Sequence, residues 1–299
     1  MILENEVFGR YLRGRSPEEE LRRLEGQQKR GEILNKFGNV KMSDSISTTA
    51  VRQAALLKLA THEMVSDQKN EKPYTVSEAV GGWRKVGENY KTDNCVFNSH
   101  RGELNGYNLF MKATDETLSD SVFDLERLLV DTFGKRYGVE LEKAVISGNG
   151  NGMPHGFIHD ADAVAAAGAA VSYADLEKLF LTLDAKYISR SAWLCNRDTF
   201  AAIAALADAH NNSILTTKTS IDDDAPDGYL LGRPVYFATL PPEKPVAFGE
   251  FSHYHIFEGP MFVERLNELY ADRGIVGFKF SQLVDGKLLK ADSVICLEM

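Results

Sequence analysis

The chain has 299 residues, 43% of them hydrophobic and 26% charged, as in an ordinary soluble globular protein with one large or two modest domains. Its formal net charge of −9 argues against a surface dominated by nucleic-acid binding. Cys95, Cys195 and Cys296 are widely spaced and odd in number, which excludes a disulfide framework and favours a reducing compartment. No long apolar run or signal-peptide core occurs, so we expect no membrane contact.

Residues 1–40 form a highly charged N-terminal extension. Ser16 and Pro17 followed by three glutamates indicate a helix start, but the apolar stripe behind them is thin. Such a helix is typically solvated or docked on another chain. From residue 48 to residue 65 the apolar spacing again predicts a helix.

Residues 73–103 contain aromatic and β-branched residues with several glycines and show no helical period. They include too few consecutive apolar residues to build a core of their own. The sequence therefore predicts a long hairpin that projects from the body. A strand at Tyr107–Ala113 follows it.

The stretch from Ser119 to Ile158 predicts one long amphipathic helix, at about 120–146, that leads into a glycine-rich turn. Its apolar residues recur every three or four positions and share one face: Val122, Leu125, Leu129, Phe133, Tyr137, Leu141 and Val145. Gly134 and Gly138 lie inside the helix and predict close packing against a neighbour, or a slight bend.

The glycine-rich turn at 148–156 invites a phosphate-binding interpretation, which its position excludes. A phosphate loop follows a strand and opens a helix, whereas this turn follows a helix and contains no Gly-Lys-Ser/Thr. We interpret it as a C-cap that turns the chain sharply before Pro154.

The C-terminal half alternates helices with short strands, which indicates an α+β protein. Ser172 and Asp175 form a capping box before a helix whose apolar face continues to Tyr187. The remaining predicted features are a buried strand at Ala192–Cys195, a helix at Phe200–Ala209, strands at 230–240 and 245–251, turns at Glu258–Gly259 and Asp285–Gly286, and a last strand at Ser293–Leu297.

Candidate ligands for a metal are sparse. His155 and His159 are four residues apart but flank a glycine, and His253 and His255 share one side of a predicted strand without a third ligand. Asp222–Asp224 lacks the spacing of a calcium loop. No catalytic motif occurs, so we expect no catalytic residue, no metal and no cofactor; a metal-dependent hydrolase is the remote alternative.

Five stretches in order resemble the major capsid proteins of tailed bacteriophages, which have the Hong Kong 97-type fold. The long helix and turn are similar to the spine helix and signature of that family, and the later stretches resemble its strands and its extended hairpin. The matching residues are Asn149, Gly150, Gly152, Pro154 and Gly156; Asn196 and Asp198; Gly232 and Pro234; Gly249; and Trp83 with Glu88. Arg197 stands where proline is common in the family.

The resemblance implies an N-arm at 41–72, an E-loop at 73–103, a P domain at 104–152 and 251–284, and an A domain at 153–250 and 285–299. It also explains why the hairpin and the extension lack cores, because their partners would be other copies of the chain. Outlying arms would then be buried only on sister copies.

The implied function is that of a structural protein of a phage or prophage, with an encapsulin-type nanocompartment shell as the alternative. It would assemble in the bacterial cytoplasm into pentamers, hexamers and an icosahedral virion shell. Its partners would be copies of itself, portal and scaffolding proteins, and enclosed double-stranded DNA bound without sequence specificity. Some relatives join an E-loop lysine to an asparagine; here Lys91 would face Asp272 and Gln282, so we expect no such cross-link.

Overall fold

The computed structural model describes residues 44–65, 69–77, 96–114, 125–168, 170–207, 213–217, 225–266 and 269–299. Within these ranges the chain mixes helices with parallel and antiparallel strands. The helices are α1 (44–53), α2 (Ala55–Leu59), α3 (Leu125–Ser147), α4 (Phe157–Asp160), α5 (Tyr173–Thr182), α6 (Ala185–Ile188) and α7 (Arg197–Ala204). The strands are β1 (Thr61–Met64), β2 (Lys69–Ser77), β3 (Val96–Glu103), β4 (Asn105–Thr114), β5 (Asp162–Ala165), β6 (Ala192–Cys195), β7 (Leu215–Thr217), β8 (Gly228–Leu230), β9 (Arg233–Phe237), β10 (Val246–Gly249), β11 (Tyr254–Leu266), β12 (Ile275–Leu288) and β13 (Val294–Glu298).

The long helix α3 buries the predicted apolar stripe from Leu129 onward. Leu129, Phe133, Tyr137, Leu141 and Val145 are all buried. The 23 residues of α3 span about 34 Å at a rise of about 1.5 Å per residue. Among the described helices, none is long and apolar enough to cross a membrane.

Helix α3 lies across one face of a four-stranded sheet with the order β1-β11-β12-β4. The ring of Phe280 on β12 is 5.5 Å from the rings of both Phe133 and Tyr137. Tyr107 on β4 adds a further ring 5.2 Å from Tyr137. These aromatic contacts fix the helix on the sheet.

Helices α1 and α2 pack on α3 of the same chain. Ile46, Ala50 and Leu57 are fully buried there. A Cβ atom on Gly134 would lie 2.6 Å from the Cβ of Thr49, which confirms the predicted close packing at the helix glycines. The expectation that the outlying arms are buried only on sister copies is therefore wrong for residues 44–59.

The helix predicted from residue 48 to residue 65 is correct only in its first part. Ala54 adopts an extended conformation between α1 and α2, and Thr61–Met64 forms β1 rather than helix. Strand β1 pairs in parallel with β11, with Thr61 opposite His255. This long-range pairing outweighs the local preference for helix.

A second sheet has seven strands in the order β5-β13-β10-β6-β9-β8-β7. The predicted strand β6 lies at its centre and is fully buried. The ring of Trp193 stacks 4.0 Å from that of Phe248, and its indole nitrogen donates to the carbonyl of Leu230. The predicted capping box is also present, because the hydroxyl of Ser172 accepts from the amide of Asp175.

Two helices in this half have different bounds from those predicted. The apolar face that reaches Tyr187 belongs to two helices, because α5 ends before Leu183 and α6 follows. Helix α7 begins at Arg197 and ends at Ala204, five residues before the predicted end.

The segment 230–240 is a hairpin rather than the single predicted strand. Strands β8 and β9 pair in antiparallel fashion, with Leu230 opposite Arg233. Leu231 and Gly232 between them both have positive φ angles, 49° and 74°. Two such residues form the tight turn whose twist suits a hairpin.

The turns predicted at Glu258–Gly259 and Asp285–Gly286 are wrong, because both pairs lie inside the long strands β11 and β12. The pairing register shifts between Glu258 and Met261, so the first glycine belongs to a bulge. The second permits close approach, since a Cβ on Gly286 would lie 2.6 Å from the hydroxyl of Tyr254.

Strands β2 and β3 form an antiparallel two-stranded ribbon, as predicted, with Lys69 opposite Glu103 and Tyr74 opposite Asn98. The ribbon begins at residue 69 rather than 73. Several predicted features lie outside the described residues: the extension 1–40, the start of the long helix with Val122, the motif residues Trp83 and Glu88, Lys91, and Asp222–Asp224.

Candidate functional site

The glycine-rich turn caps the C-terminus of α3 and reverses the chain. The amide of Gly148 donates a hydrogen bond of 2.8 Å to the carbonyl of Ala144. The amide of Gly156 donates one of 2.9 Å to the carbonyl of Gly148. Gly150 and Gly152 have φ angles of 73°. The prediction of a C-cap is confirmed. The carbonyl end of a helix carries partial negative charge, so this turn does not favour phosphate.

The turn also holds the returning chain against the four-stranded sheet. A Cβ on Gly156 would overlap the carbonyl oxygen of Ile146, so only glycine allows the returning chain to pass there. The amide of His155 donates to Gly286, and the hydroxyl of Tyr254 donates to the carbonyl of His155, both at 2.9 Å. Pro154 is buried. The motif residues of the turn therefore build structure.

Asn196 stands at the N-terminus of α7, a position where an asparagine side chain commonly caps a helix. Its side chain forms no cap for α7. Instead its amide nitrogen donates to the carbonyl of Leu240 at 2.9 Å, and its oxygen accepts from the amide of the same residue at 2.7 Å. Asn196 thus holds the chain that follows β9, while Asp198 is exposed at the start of α7.

The later motif residues permit close contacts or turns. A Cβ on Gly249 would overlap the carbonyl oxygen of Ser293 where β10 meets β13. Gly232 supplies a positive φ angle, and Pro234 follows it inside β9. The structure places these residues at separate points of the seven-stranded sheet, so they do not form a common pocket.

A charged cluster that the sequence did not reveal lies where the ribbon meets the four-stranded sheet. We call it the ribbon root. Glu63 on β1 accepts from Lys72 on β2, and its Oε1 lies 2.7 Å from Nδ1 of His255 on β11. Nε2 of His100 on β3 lies 3.3 Å from Oδ2 of Asp285 on β12. The two histidine contacts join residues 192 and 185 positions apart, which no local pattern indicates.

The pKa values at the ribbon root follow from burial and pairing. Burial lowers the pKa of His255, and the nearby Lys72 lowers it further, although Glu63 opposes both. Burial alone would raise the pKa of Glu63, but its hydrogen bonds from Lys72 and His255 outweigh burial and lower that pKa. The charges of Lys72 and Glu63 therefore each influence the pKa of His255.

On the inner side of the same sheet, His62 pairs with Glu258. Nδ1 of His62 lies 3.2 Å from Oε1 of Glu258, and its Nε2 lies 2.8 Å from the carbonyl of Leu57. Burial would lower the pKa of His62, but Glu258 outweighs burial and raises it. This pair ties α2 to the sheet.

The described residues contain no group of three His, Cys, Asp or Glu side chains that could hold a metal ion. The rings of His155 and His159 are 5.6 Å apart, but they belong to no such group. His253 lies in a short 3-10 turn against Tyr187, so it does not share a strand face with His255. Burial raises the pKa of Cys195 to about 12, which keeps its thiol protonated.

An apolar patch lies on the face of the four-stranded sheet turned away from α3. Phe110 on β4 is opposite Lys279 on β12, and Phe262 on β11 is opposite Ser281. By the alternation of strands these residues share one face, and the ring of Tyr270 lies 6.1 Å from that of Phe110. We call Phe110, Phe262, Leu269 and Tyr270 the sheet patch.

Solved capsid structures share this fold. A capsid of an empty GTA particle computed with C5 symmetry has a TM-score of 0.70 and 22% identity, covering 83% of this chain and 90% of that chain. A capsid of the native GTA particle computed with C5 symmetry has a TM-score of 0.66 and 22% identity, covering 85% of this chain and 90% of that chain. A structure from Microbacterium phage Oxtober96 has a TM-score of 0.61 and 16% identity, covering 82% of this chain and 90% of that chain.

No curated protein matches the chain. The model of the Phage capsid family matches residues 39–299, which includes both sheets, the ribbon and the glycine-rich turn. Since that match covers most of the chain, it decides the family, and the solved capsids agree with it in fold. The chain belongs to the phage capsid family and is a structural protein with the Hong Kong 97-type α+β fold, not the metal-dependent hydrolase considered as the remote alternative.

Proposed function

We propose that many copies of this chain assemble into pentamers and hexamers that close into an icosahedral shell around double-stranded DNA. In this proposal α3 is the spine of a P domain at 104–152 and 251–284, and 153–250 with 285–299 form the A domain. Residues 41–72 are the N-arm and residues 73–103 the E-loop. The observation that carries the proposal is the exposed sheet patch, together with a ribbon whose outer edges have no strand partner among the described strands.

The sheet patch offers apolar surface to a second copy. Phe110 is 39% exposed, Phe262 45% and Leu269 59%. Phe110 and Phe262 share one face of a sheet whose other face is covered by α3, and Tyr270, which follows Leu269, lies against Phe110. Neighbouring large apolar side chains left in water mark interaction surfaces on monomers.

The ribbon offers a second copy the backbone amides and carbonyls along its outer strand edges. Among the described strands, β2 and β3 pair only with each other, so the outer edge of each lacks a strand partner. An isolated two-stranded ribbon is at best marginally stable in water. Packing on a sister copy would stabilise it, and contacts of this head-to-tail kind close into rings.

The charge of the chain suits a container for DNA. A net charge of −9 disfavours tight contacts with phosphate, which depend on basic surface. The DNA would be enclosed without sequence-specific binding. Portal and scaffolding proteins are the further partners that we propose, with assembly in the cytoplasm of the host bacterium and final residence in the virion.

The test compares two double variants of the sheet patch by sedimentation velocity and negative-stain microscopy. F110S/F262S replaces both rings with small polar side chains, and we expect it to sediment as a folded, unassembled species. F110L/F262L is the matched control, which keeps apolar surface and should still form rings or shells. Circular dichroism verifies that both variants fold.

Assembly of F110S/F262S at the wild-type concentration would contradict the assignment of the sheet patch. A wild-type chain that stays monomeric at all salt and protein concentrations would contradict the assembly itself. Particles that carry a cargo enzyme instead of nucleic acid would support the alternative function, an encapsulin-type nanocompartment.

A further inference from the structure

The sequence contains three Asn-Gly pairs, Asn105-Gly106, Asn149-Gly150 and Asn151-Gly152. An asparagine before a glycine can lose its side-chain amide without an enzyme, because the backbone nitrogen of the glycine attacks the side-chain carbonyl carbon. Glycine favours this attack, since it has no side chain to hinder the nitrogen and its backbone rotates freely. The three pairs share this local chemistry, so the structure around each pair decides whether it reacts.

The first pair is held in a sheet. Asn105 and Gly106 lie inside β4 and pair with Val284 and Leu283 on β12. The side-chain amide of Asn105 also donates to the carbonyl of Glu103 at 3.2 Å. The attack needs a rotation of the backbone between the asparagine and the glycine, which the sheet pairing prevents unless the strand opens locally. This pair is therefore protected.

The second pair is held in the glycine-rich turn. The backbone of Asn149 forms an isolated antiparallel bridge with His155. Its Oδ1 accepts a hydrogen bond of 3.0 Å from the amide of Asn151, which fixes the side chain in a turn. A Cβ on Gly150 would lie 2.9 Å from Cδ2 of His155, so this glycine is packed against the ring. The hydrogen bond polarises the side-chain carbonyl of Asn149, but these restraints oppose the rotation that the attack requires.

The third pair is open. Asn151 and Gly152 are both exposed, and the side chain of Asn151 makes no hydrogen bond to any described residue. A Cβ on Gly152 would meet no atom within 4 Å. The hydrogen bond from the amide of Asn151 restrains the chain before this residue, whereas the attack needs rotation of the chain after it. Water therefore reaches this pair, and nothing in the described part of the chain opposes its reaction.

We propose that Asn151 is a site of spontaneous deamidation, at which the glycine-rich turn acquires a carboxylate as the protein ages. The nitrogen of Gly152 forms a bond to Cγ of Asn151, the bond from Cγ to Nδ2 breaks, and ammonia leaves with the proton that the Gly152 nitrogen gives up. Water then opens the cyclic imide at either carbonyl, which leaves aspartate or isoaspartate. The reaction needs only water and one chain, so the proposal does not depend on assembly into a shell.

The product changes both the charge and the length of the turn. The new carboxylate lies beyond the C-terminus of α3, where the helix carries partial negative charge, so the two repel each other. Isoaspartate also lengthens the backbone between Gly148 and Gly156, whose hydrogen bond closes the turn. Deamidation should therefore loosen the hold of the turn on the returning chain.

The test is peptide mapping of the purified full chain by mass spectrometry, during storage in a mildly alkaline buffer that favours loss of the amide proton. Each pair is followed by the mass gain from amide to acid, and electron-transfer fragmentation assigns the gain to one residue and separates aspartate from isoaspartate. We expect the gain at Asn151 to appear at least roughly tenfold faster than at Asn149 or Asn105, because those two react only after local opening. In urea, where the turn and the sheet are lost, all three pairs should react at similar rates.

Two matched variants locate the reaction. N151Q should lose the gain at this position, since glutamine closes its larger ring far more slowly, whereas N149Q should keep the gain at Asn151. Circular dichroism verifies that both variants fold. Hydrogen exchange of the Gly156 amide should become faster in the aged wild type but not in aged N151Q.

Three results would overturn the proposal. One is a reaction at Asn149 that equals or exceeds the reaction at Asn151 in the native chain. Another is an unchanged Asn151 over a period in which the chain in urea reacts. The third is loss of the gain in N149Q, which would assign the reaction to Asn149.

Discussion

Gly138 in the middle of α3 lies against the backbone of Ala50 in α1, where an added Cβ would come within 2.5 Å of the carbonyl oxygen of Ala50. The helix thus keeps a residue that weakens it by about 1 kcal/mol relative to alanine. In return α1 approaches closely enough to be buried on α3.

Replacing this glycine should therefore destabilise the chain, although alanine favours helix. We expect G138A to lower the free energy of unfolding by about 1–3 kcal/mol, because the new methyl group forces α1 away from α3. G168A is the matched control, since nothing lies within 4 Å of the added Cβ there. Urea denaturation measures both, and a G138A variant as stable as G168A would contradict the close packing.

Glu142 predicts a pH dependence of stability. Burial raises its pKa to about 7, although the amide of Leu56 donates to its carboxylate. The folded state therefore holds a proton that the unfolded state has lost between about pH 4.5 and pH 7, and stability falls as the pH rises through this window.

The E142Q variant removes this effect, because glutamine stays neutral at every pH. We expect it to be more stable than the wild type by about 1–3 kcal/mol at about pH 8 and nearly equal to it at about pH 4. E140Q, on an exposed part of the same helix, should follow the wild type. Thermal unfolding at several pH values gives the comparison, and parallel curves for E142Q and wild type would refute the raised pKa.

Asn196 and Asp198 belong to one motif but should differ in effect. N196A loses both hydrogen bonds to the backbone of Leu240 and leaves the amide and carbonyl of Leu240 without these partners. We therefore expect the free energy of unfolding to fall by about 2–3 kcal/mol. Asp198 is exposed in the first turn of α7, where its charge favours the helix by about 0.3–1 kcal/mol. Chemical denaturation of N196A and D198A checks this order, and equal losses would contradict it.

The residues that would have to cross-link are unsuited to an isopeptide bond. The side chain of Gln282 is buried and donates to the carbonyl of Gly259 at 3.0 Å, and Asp272 is an exposed acid beside Arg273. Lys91 lies outside the described residues. We expect particles boiled in SDS to run as a single 33.2 kDa band. Covalent ladders on the gel would show that another pair of residues reacts.

Much of the fold follows from local patterns in the sequence. The stripe of α3, the turn after it, the capping box at Ser172 and the buried strand β6 all depend on residues within a few positions of one another. These elements are found where the sequence predicts them. The tight packing at Gly134 was also predictable, because glycine destabilises a helix and is usually kept inside one where a neighbour packs closely against it.

The elements that escaped prediction depend on distant partners. Strand β1 has the sequence Thr-His-Glu-Met and becomes a strand because β11 binds it. The glycines at 259 and 286 carry local turn signals, yet they serve a bulge and a close approach to Tyr254 within long strands. The ribbon root could not be predicted either, because His100 and Asp285 are 185 residues apart.

The parallel pairing of β1 with β11 sets an order of events during synthesis. The hydroxyl of Thr61 donates to the carbonyl of Ser252, 191 residues later, so this edge of the sheet cannot form until most of the chain has left the ribosome. At roughly 5–20 residues per second the N-terminal part waits about 10–40 seconds for its partner. Nascent chains therefore emerge with the edge of β1 unpaired for that interval, and an unpaired strand edge can join the wrong partner before the chain is complete.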